Sequence, residues 1–250
     1  TTANGTDLAS ATLDLVGMTD IMGSNAANTL AARATSDQYH GGGGNDTIRS
    51  GAGNDVIFAG KGRDIVYGND GNDIFVASID DGKDIYNGGA GSDTLDFSRI
   101  STDITANLNA GTATSAQTGT DSLSAIERII GGTSAANVLS GGAGIDRLEG
   151  IGGKDILTGG EGADIFIFRN VVHSKVAAPD LITDFTPGED KINLNVIDAN
   201  TTSSGNQAFI FLAGVGSAFT GVAGELNFAF KDLEGIENDR TIIAGDINGD

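Results

Sequence analysis

The stretch "GGGGNDTIRSGAGNDVIFAGKGRDIVYGNDGNDIFV" (Gly41–Val76) decides the reading of this chain. Cut into nines it gives GGGGNDTIR (41–49), SGAGNDVIF (50–58), AGKGRDIVY (59–67) and GNDGNDIFV (68–76). After Ala77 and Ser78 the frame resumes as IDDGKDIYN (79–87) and GGAGSDTLD (88–96). Upstream it persists in degenerate form as GSNAANTLA (23–31) and ARATSDQYH (32–40). A second block reads GTSAANVLS (132–140), GGAGIDRLE (141–149), GIGGKDILT (150–158) and GGEGADIFI (159–167).

Two constraints hold in one frame. Asp stands at the sixth position nine times in well-formed units, namely Asp46, Asp55, Asp64, Asp73, Asp84, Asp93, Asp146, Asp155 and Asp164, and Asp37 holds it in a tenth, poorer unit of the twelve. The eighth position is apolar in all twelve, from Leu30 to Phe166. A period of nine with this consensus predicts a parallel β-solenoid. Six Gly-rich residues make a turn, because Gly tolerates positive φ. Three make a short strand whose eighth side chain faces opposite to its neighbours. One such strand cannot bury its apolar face alone, but stacked copies can. Ile48, Ile57, Val66, Phe75, Tyr86 and Leu95 then fill the interior, with alternate strands falling in two facing parallel sheets.

Turns stacked about 4.8 Å apart also stack their carboxylates. Those rows repel unless a counter-charge lies between them. A hard cation with six to eight oxygen ligands, some of them turn carbonyls, cancels the repulsion, and Ca²⁺ suits such a mixed set better than Mg²⁺. Zn²⁺ would want His or Cys, and the chain has two His and no Cys. The plainer alternative is that Asn-Asp and Gly merely make surface turns. That suffices for one copy but not for nine in frame.

Composition agrees. The 250 residues carry 34 acidic against 14 basic side chains, a net charge of −20. Such a balance disfavours nucleic acid and anionic membrane surfaces and favours cations. Aromatics are few, which predicts a thin aliphatic core. There is no transmembrane run. The chain does not begin with Met, and we expect a processed or excised segment of a longer protein.

The repeats resemble the RTX family, the calcium-binding β-roll repeats of secreted bacterial proteins, over 23–97 and 132–167. The resemblance implies an ion between turns two repeats apart. One turn supplies the carbonyls of its second and fourth residues and its Asp; the other supplies those of its first and third residues and its Asp. Carried over, Gly42, Gly44 and Asp46 face Ala59, Lys61 and Asp64. Gly51, Gly53 and Asp55 face Gly68, Asp70 and Asp73. Asn69, Gly71 and Asp73 face Gly88, Ala90 and Asp93. Gly142, Gly144 and Asp146 face Gly159, Glu161 and Asp164. Gly60, Gly62, Asp81, Asp84, Gly150, Gly152, Asp155, Gly160 and Gly162 complete the candidate set in the same turns. Units 23–31 and 132–140 carry Asn28 and Asn137 in place of Asp, and weak or absent sites are expected there.

The C-terminal stretch, with "GGEGADIFIF", "DLITDFTPGEDKINLNVIDANT", "AGELNF" and "IIAGDINGD", is similar to the C-terminal domain of serralysin-type metalloproteases. That resemblance makes Asp180 and Asp184 plausible ligands closing the last turns. "GEDKINL" (188–194) reads as one more degenerate turn through Asp190 and Ile192. Asp246, Asn248 and Asp250 make the start of a weak calcium-loop pattern.

The expected architecture is all-β: a parallel β-roll in two blocks with a β-rich cap. Residues 1–22 are read as the end of a preceding module, and 5–10 faintly echo 119–124. Residues 23–97 are the first block, 98–131 a β-rich connector, 132–195 the second block and 196–250 the cap. No H-E-x-x-H or G-x-S-x-G motif occurs. His40 is expected on an exposed strand position and His173 in a loop. The ninth- and seventh-position set Val56, Phe58, Ile74 and Val76 is unusually apolar for an outer face, which predicts that something covers it. The function these readings imply is a calcium-dependent folding and secretion module of an exported protein, itself non-catalytic. It would meet a type I secretion machinery and follow a catalytic (protease, epimerase or lipase) or adhesive domain. The alternative is a structural or adhesive calcium protein of the cell surface.

Overall fold

The computed structural model describes residues 18–79, 82–133, 136–175 and 178–199, and beyond them 204, 207, 209–211, 222, 223, 225–231 and 240–246. The described residues form strands and turns, with no helix. The nonapeptide frame predicts the strands. Thr47–Ala52, Ile65–Asp70 and Ile85–Ala90 stack in one sheet, while Val56–Phe58, Ile74–Val76 and Thr94–Asp96 stack in the other. Register keeps equivalent positions together, as in Ile48↔Val66↔Tyr86 and Ile57↔Phe75↔Leu95. Each nonapeptide thus reverses the chain once, and two make one turn of a parallel β-roll.

The first sheet has nine strands, from Thr19–Ser24 to Lys191–Asn193, and runs through both repeat blocks. The second has ten, from Thr29–Leu30 to Leu181–Ile182. The stretch 98–131 lies inside the roll. It adds Arg128–Ile130 to the first sheet and Gly119–Ser124, Thr112–Ser115 and Ile104–Asn107 to the second. Thr112–Ser115 runs antiparallel to both neighbours, and the other two remain parallel to the roll. Here the second sheet gains two strands more than the first, a mismatch of about 10 Å at the usual strand spacing.

Every eighth-position side chain from Tyr39 to Phe166 is buried, and Ile104, Ala106, Ala113, Leu123 and Ile129 continue the two rows through the insert. The core is less aliphatic than composition suggests. Its largest fully buried side chains include Tyr39, Tyr86, Phe75, Phe97 and Phe166. Few aromatics are present, but the period places them inward.

The outer set is covered unevenly. Val56 and Val76 are 2% and 3% exposed. Phe58 is half-buried, stacked on His40 with centroids 4.8 Å apart, and the Arg99 guanidinium lies 5.0 Å from its centroid. His40 is therefore half-buried rather than exposed: Phe58, one strand along, offers its ring a face. Beyond the roll, Ile210–Phe211, Glu225–Lys231 and Arg240–Asp246 form a separate three-stranded sheet. A cavity of about 620 Å³ separates the last strand of the first sheet from Gln207 and Phe209.

Candidate metal centre

The sixth-position carboxylates form two ladders, one along each edge of the roll. In each, one oxygen accepts the backbone N–H of the equivalent residue one roll-turn earlier. On one edge Asn28 donates to Asp46 (2.7 Å), Asp46 to Asp64 (2.7 Å), Asp64 to Asp84 (2.8 Å) and Asp84 to Asp121 (3.0 Å). On the other Asp37 donates to Asp55 (2.7 Å), Asp55 to Asp73 (2.8 Å), Asp73 to Asp93 (2.8 Å) and Asp93 to Glu127 (2.8 Å). The second block repeats this: Asn137 to Asp155, Asp155 to Asp180, Asp146 to Asp164 and Asp164 to Asp190.

That bond occupies only one oxygen of each carboxylate. Oδ2 of Asp46, Asp55, Asp64, Asp73, Asp93, Asp155, Asp164 and Asp180 is buried with no hydrogen-bond partner. Buried polar atoms are ordinarily satisfied, and an unpaired carboxylate oxygen is the costly exception. Turn carbonyls point into the same spaces. A Cβ on Gly41 would lie 2.6 Å from Asp46 Oδ2 and 2.1 Å from the Ala59 carbonyl oxygen. One on Gly62 would lie 2.0 Å from the Gly44 carbonyl, and one on Gly71 1.9 Å from that of Gly53. Second and fourth positions are left-handed, as at Gly42 (φ 99°), Gly44 (101°), Gly60 (101°) and Gly62 (134°). Gly is needed there for both conformation and space.

Burial governs the acidity of these groups. It pushes Asp73 and Asp155 up to about 7, and Asp64, Asp93 and Asp180 up to about 6, against amide hydrogen bonds that act the other way. Asp46, Asp55, Asp146 and Asp164 shift in the same direction for the same reason. Carboxylates held in this way have an amide on one oxygen and neither a donor nor a positive charge on the other. An all-oxygen set of carboxylates and carbonyls fits a hard, flexible ion such as Ca²⁺. Among the described residues no three acidic or imidazole side chains converge on one point. The carbonyls must therefore supply much of any coordination shell.

The structure brings Gly42, Gly44, Asp46, Ala59 and Asp64 together, and likewise Gly53, Asp55, Gly68, Gly71 and Asp73 on the other edge. A Cβ on Gly68 would meet both Asp73 Oδ2 and the Gly88 carbonyl, and one on Gly89 the Asn69 carbonyl, which joins Asn69, Gly71, Asp73, Gly88 and Asp93. Several carbonyls also accept inter-turn amides: Gly42 from Lys61, Asp70 from Gly53, Ala90 from Gly71 and Gly142 from Glu161. Each carbonyl oxygen has a second lone pair. Gly51 and Asn69 pair across adjacent strands. Asp84 also accepts the Tyr86 hydroxyl at 2.9 Å, and Asp81 lies outside the described residues.

The second block is less uniform. Gly160 and Gly162 sit over the Gly142 and Gly144 carbonyls, and a Cβ on Gly159 or Gly150 would meet Asp164 or Asp155. Yet Gly142 and Gly144 are not left-handed, and Asp146 Oδ2 accepts its own turn's Gly142 N–H at 2.7 Å. In the turn of Gly152 the left-handed residues are Ile151 and Gly153. Asp180 retains an unpaired oxygen, whereas both oxygens of Asp184 accept amides, from Gly159 and Gly160.

Three turns supply their own counter-groups. Asn28 Oδ1 accepts Ser24 N–H at 2.6 Å. Asn137 Nδ2 donates to the Gly150 carbonyl (3.0 Å) and to Asp155 (2.9 Å). Arg33 stands where Gly is expected and pairs its Nε with Asp37 at 3.0 Å.

Sequence reading missed Asp121 and Glu127 as rungs and did not place Asp190 in the candidate ligand set. A signal existed: Asp121-x-Leu123 and Glu127-x-Ile129 keep the acidic-x-apolar spacing, and 116–124 (AQTGTDSLS) has Gly119 at its fourth position. Gly119 is left-handed, φ 87°, over the Gly82 carbonyl. Without the flanking glycines the unit is hard to see. His40 and His173 are both half-buried, and burial pushes both imidazoles down.

The profile of the RTX calcium-binding nonapeptide repeat (4 copies) matches residues 17–48 and 40–75. That of the peptidase M10 serralysin C-terminal family matches residues 61–250. No curated relative matches the chain. With most of its length matched, and with the ladder geometry above, the chain belongs to the peptidase M10 serralysin C-terminal family, built on RTX calcium-binding repeats.

Proposed function

We propose that this chain is the calcium-dependent folding and secretion module of a larger exported protein and carries no catalysis of its own. The supporting observation is the row of buried carboxylates, eight of which (Asp46, Asp55, Asp64, Asp73, Asp93, Asp155, Asp164 and Asp180) keep one oxygen unpaired. Asp46 and Asp64 with the Gly42, Gly44, Ala59 and Lys61 carbonyls would hold one ion. Asp55 and Asp73 with the Gly51, Gly53, Gly68 and Asp70 carbonyls would hold the next. Asp73 and Asp93, and Asp146 and Asp164, would hold others, and Asp180 and Asp184 would close the last turns. A cation neutralises the carboxylates and completes the oxygens that backbone amides leave unused. Blocks 23–97 and 132–195 and connector 98–131 would then fold as one metal-dependent stack, with the cap 196–250 beyond it.

Binding to the folded state alone stabilises it by mass action at each site. Extracellular calcium modules bind at about 10⁻⁴ to 10⁻³ M. The chain would stay unfolded at cytosolic calcium, a form suited to passage through a type I secretion channel, and would fold outside. An upstream catalytic or adhesive domain would be its passenger. Far-UV circular dichroism in chelator and then in millimolar calcium tests this. An unchanged β spectrum in chelator counts against it. The non-catalytic reading predicts no casein hydrolysis with zinc and calcium present, and no lipase or alginate-modifying turnover; any of these from pure fragment contradicts it.

A further inference from the structure

We propose that Asp93, Glu127 and the Ala125 carbonyl form a further site for a divalent cation of the calcium class, one whose second turn no nonapeptide supplies. The proposal rests on the reading that the roll holds calcium. It starts from a geometric signature shared by first-position glycines. A Cβ on Gly41 would meet Asp46 Oδ2 and the Ala59 carbonyl; one on Gly68 would meet Asp73 Oδ2 at 2.2 Å and the Gly88 carbonyl at 2.6 Å. Gly88 has the same pair of neighbours, Asp93 Oδ2 at 2.4 Å and the Ala125 carbonyl at 1.9 Å. Yet Ala125 belongs to no repeat unit.

Three observations point to a ligand. Asp93 is 0% exposed and its Oδ2 has no hydrogen-bond partner. Glu127 takes the place of the next Asp, with Oε2 accepting Asp93 N–H at 2.8 Å. Ala125 is held left-handed, φ 49°, a conformation that costs a residue with a Cβ, and its carbonyl is directed at Gly88. The turn before Glu127 is shorter than the six-residue turns of the repeats, and the extra methylene of Glu provides the reach that Asp would lack. Past Glu127 the ladder stops. Asp146 spends its second oxygen on Gly142, and a cavity of about 260 Å³ opens between Glu127 and the Gly144 turn. An ion at Asp93 and Glu127 would clamp the inserted strand Arg128–Ile130 onto the first block where the ladder stops.

Calcium bound per chain is to be measured by equilibrium dialysis on the full chain, wild type and Glu127→Gln, with folding checked by circular dichroism. The amide can still accept the Asp93 N–H but carries no charge. We expect one ion fewer per chain and a higher calcium midpoint for folding. At calcium ten times the site's Kd, losing one site lowers the folding constant about ten-fold. Glu127→Lys, whose Nζ can stand in for the ion, should also bind one ion fewer, and decides the matter if Glu127→Gln fails to fold. Unchanged stoichiometry in the folded variant overturns the site while leaving the function above intact. A wild type that binds no calcium overturns both.

Discussion

Asn137 sends two hydrogen bonds to one oxygen of Asp155, its backbone N–H at 2.8 Å and its side-chain Nδ2 at 2.9 Å. The side-chain amide also satisfies the Gly150 carbonyl. A neutral donor thus stands where a neighbouring turn would need a cation. Asp64 and Asp73, in interior turns, have no such substitute on Oδ2. Asp64→Ala and Asp73→Ala should therefore raise the calcium midpoint for folding several-fold more than Asn28→Ala or Asn137→Ala. Titration followed by circular dichroism measures it, and equal shifts across the four would contradict the ligand assignment.

Metal-free protein should respond to acid in an unusual direction. Asp73 and Asp155 titrate at about 7, and Asp64, Asp93 and Asp180 at about 6, in the folded roll. Their unfolded values lie near 3.9. A raised folded pKa contributes stability that is full below the unfolded value and is lost as pH rises through the folded value. In chelator, then, β structure should increase as pH falls from 7.5 to 5. A chelated sample that loses β structure over that interval would show that these carboxylates are not buried as described. Calcium affinity should fall over the same interval, because protons and ions compete for the same oxygens.

Two glycines separate space from sequence. Gly71 has φ 138°, and a Cβ there would lie 1.9 Å from the Gly53 carbonyl. Gly71→Ala should abolish calcium-induced folding or cost more than about 2 kcal/mol. Gly144 has no atom within 4 Å of a built Cβ and no left-handed φ. Gly144→Ala should change urea stability in calcium by less than about 0.5 kcal/mol. Comparable losses in the two would refute this distinction.

Phe58 lies against His40 on one side and Arg99 on another. Phe58→Ser should lower stability in saturating calcium by about 1–2 kcal/mol and leave bound calcium unchanged, because its ring partners, His40 and Arg99, are not among the rung residues. Urea denaturation and equilibrium dialysis on the same samples check both halves.

Much of this was legible because Asp at position six and an apolar residue at position eight recur with fixed spacing. Ile48, Val66 and Tyr86 fell where the frame put them. The insert was not legible in the same way. Ile104, Ala106 and Ala113 alternate as any strand would, and nothing local shows that Thr112–Ser115 runs backwards. That direction follows from long-range pairing. Glu127 escaped notice because its turn is too short to keep the glycines. The closure of Asp146 on Gly142 was hidden because GGAGID matches the motif, while the conformation depends on which turn is stacked beneath it.

The ladders also have a direction. In the repeat rungs, the amide of an earlier residue reaches forward to the carboxylate of a later one: Asp46 to Asp64, Asp55 to Asp73, Asp155 to Asp180. A coil cut away at the front leaves every remaining sixth-position amide with its carboxylate, whereas seventh-position amides such as Ile65 N–H, bound to the Asp46 carbonyl, lose theirs. A coil cut away at the rear strands the amides of the one before it. Each coil is thus tied backwards through its backbone and forwards through its rung, and its sixth-position amide is satisfied only when its successor in the chain has arrived.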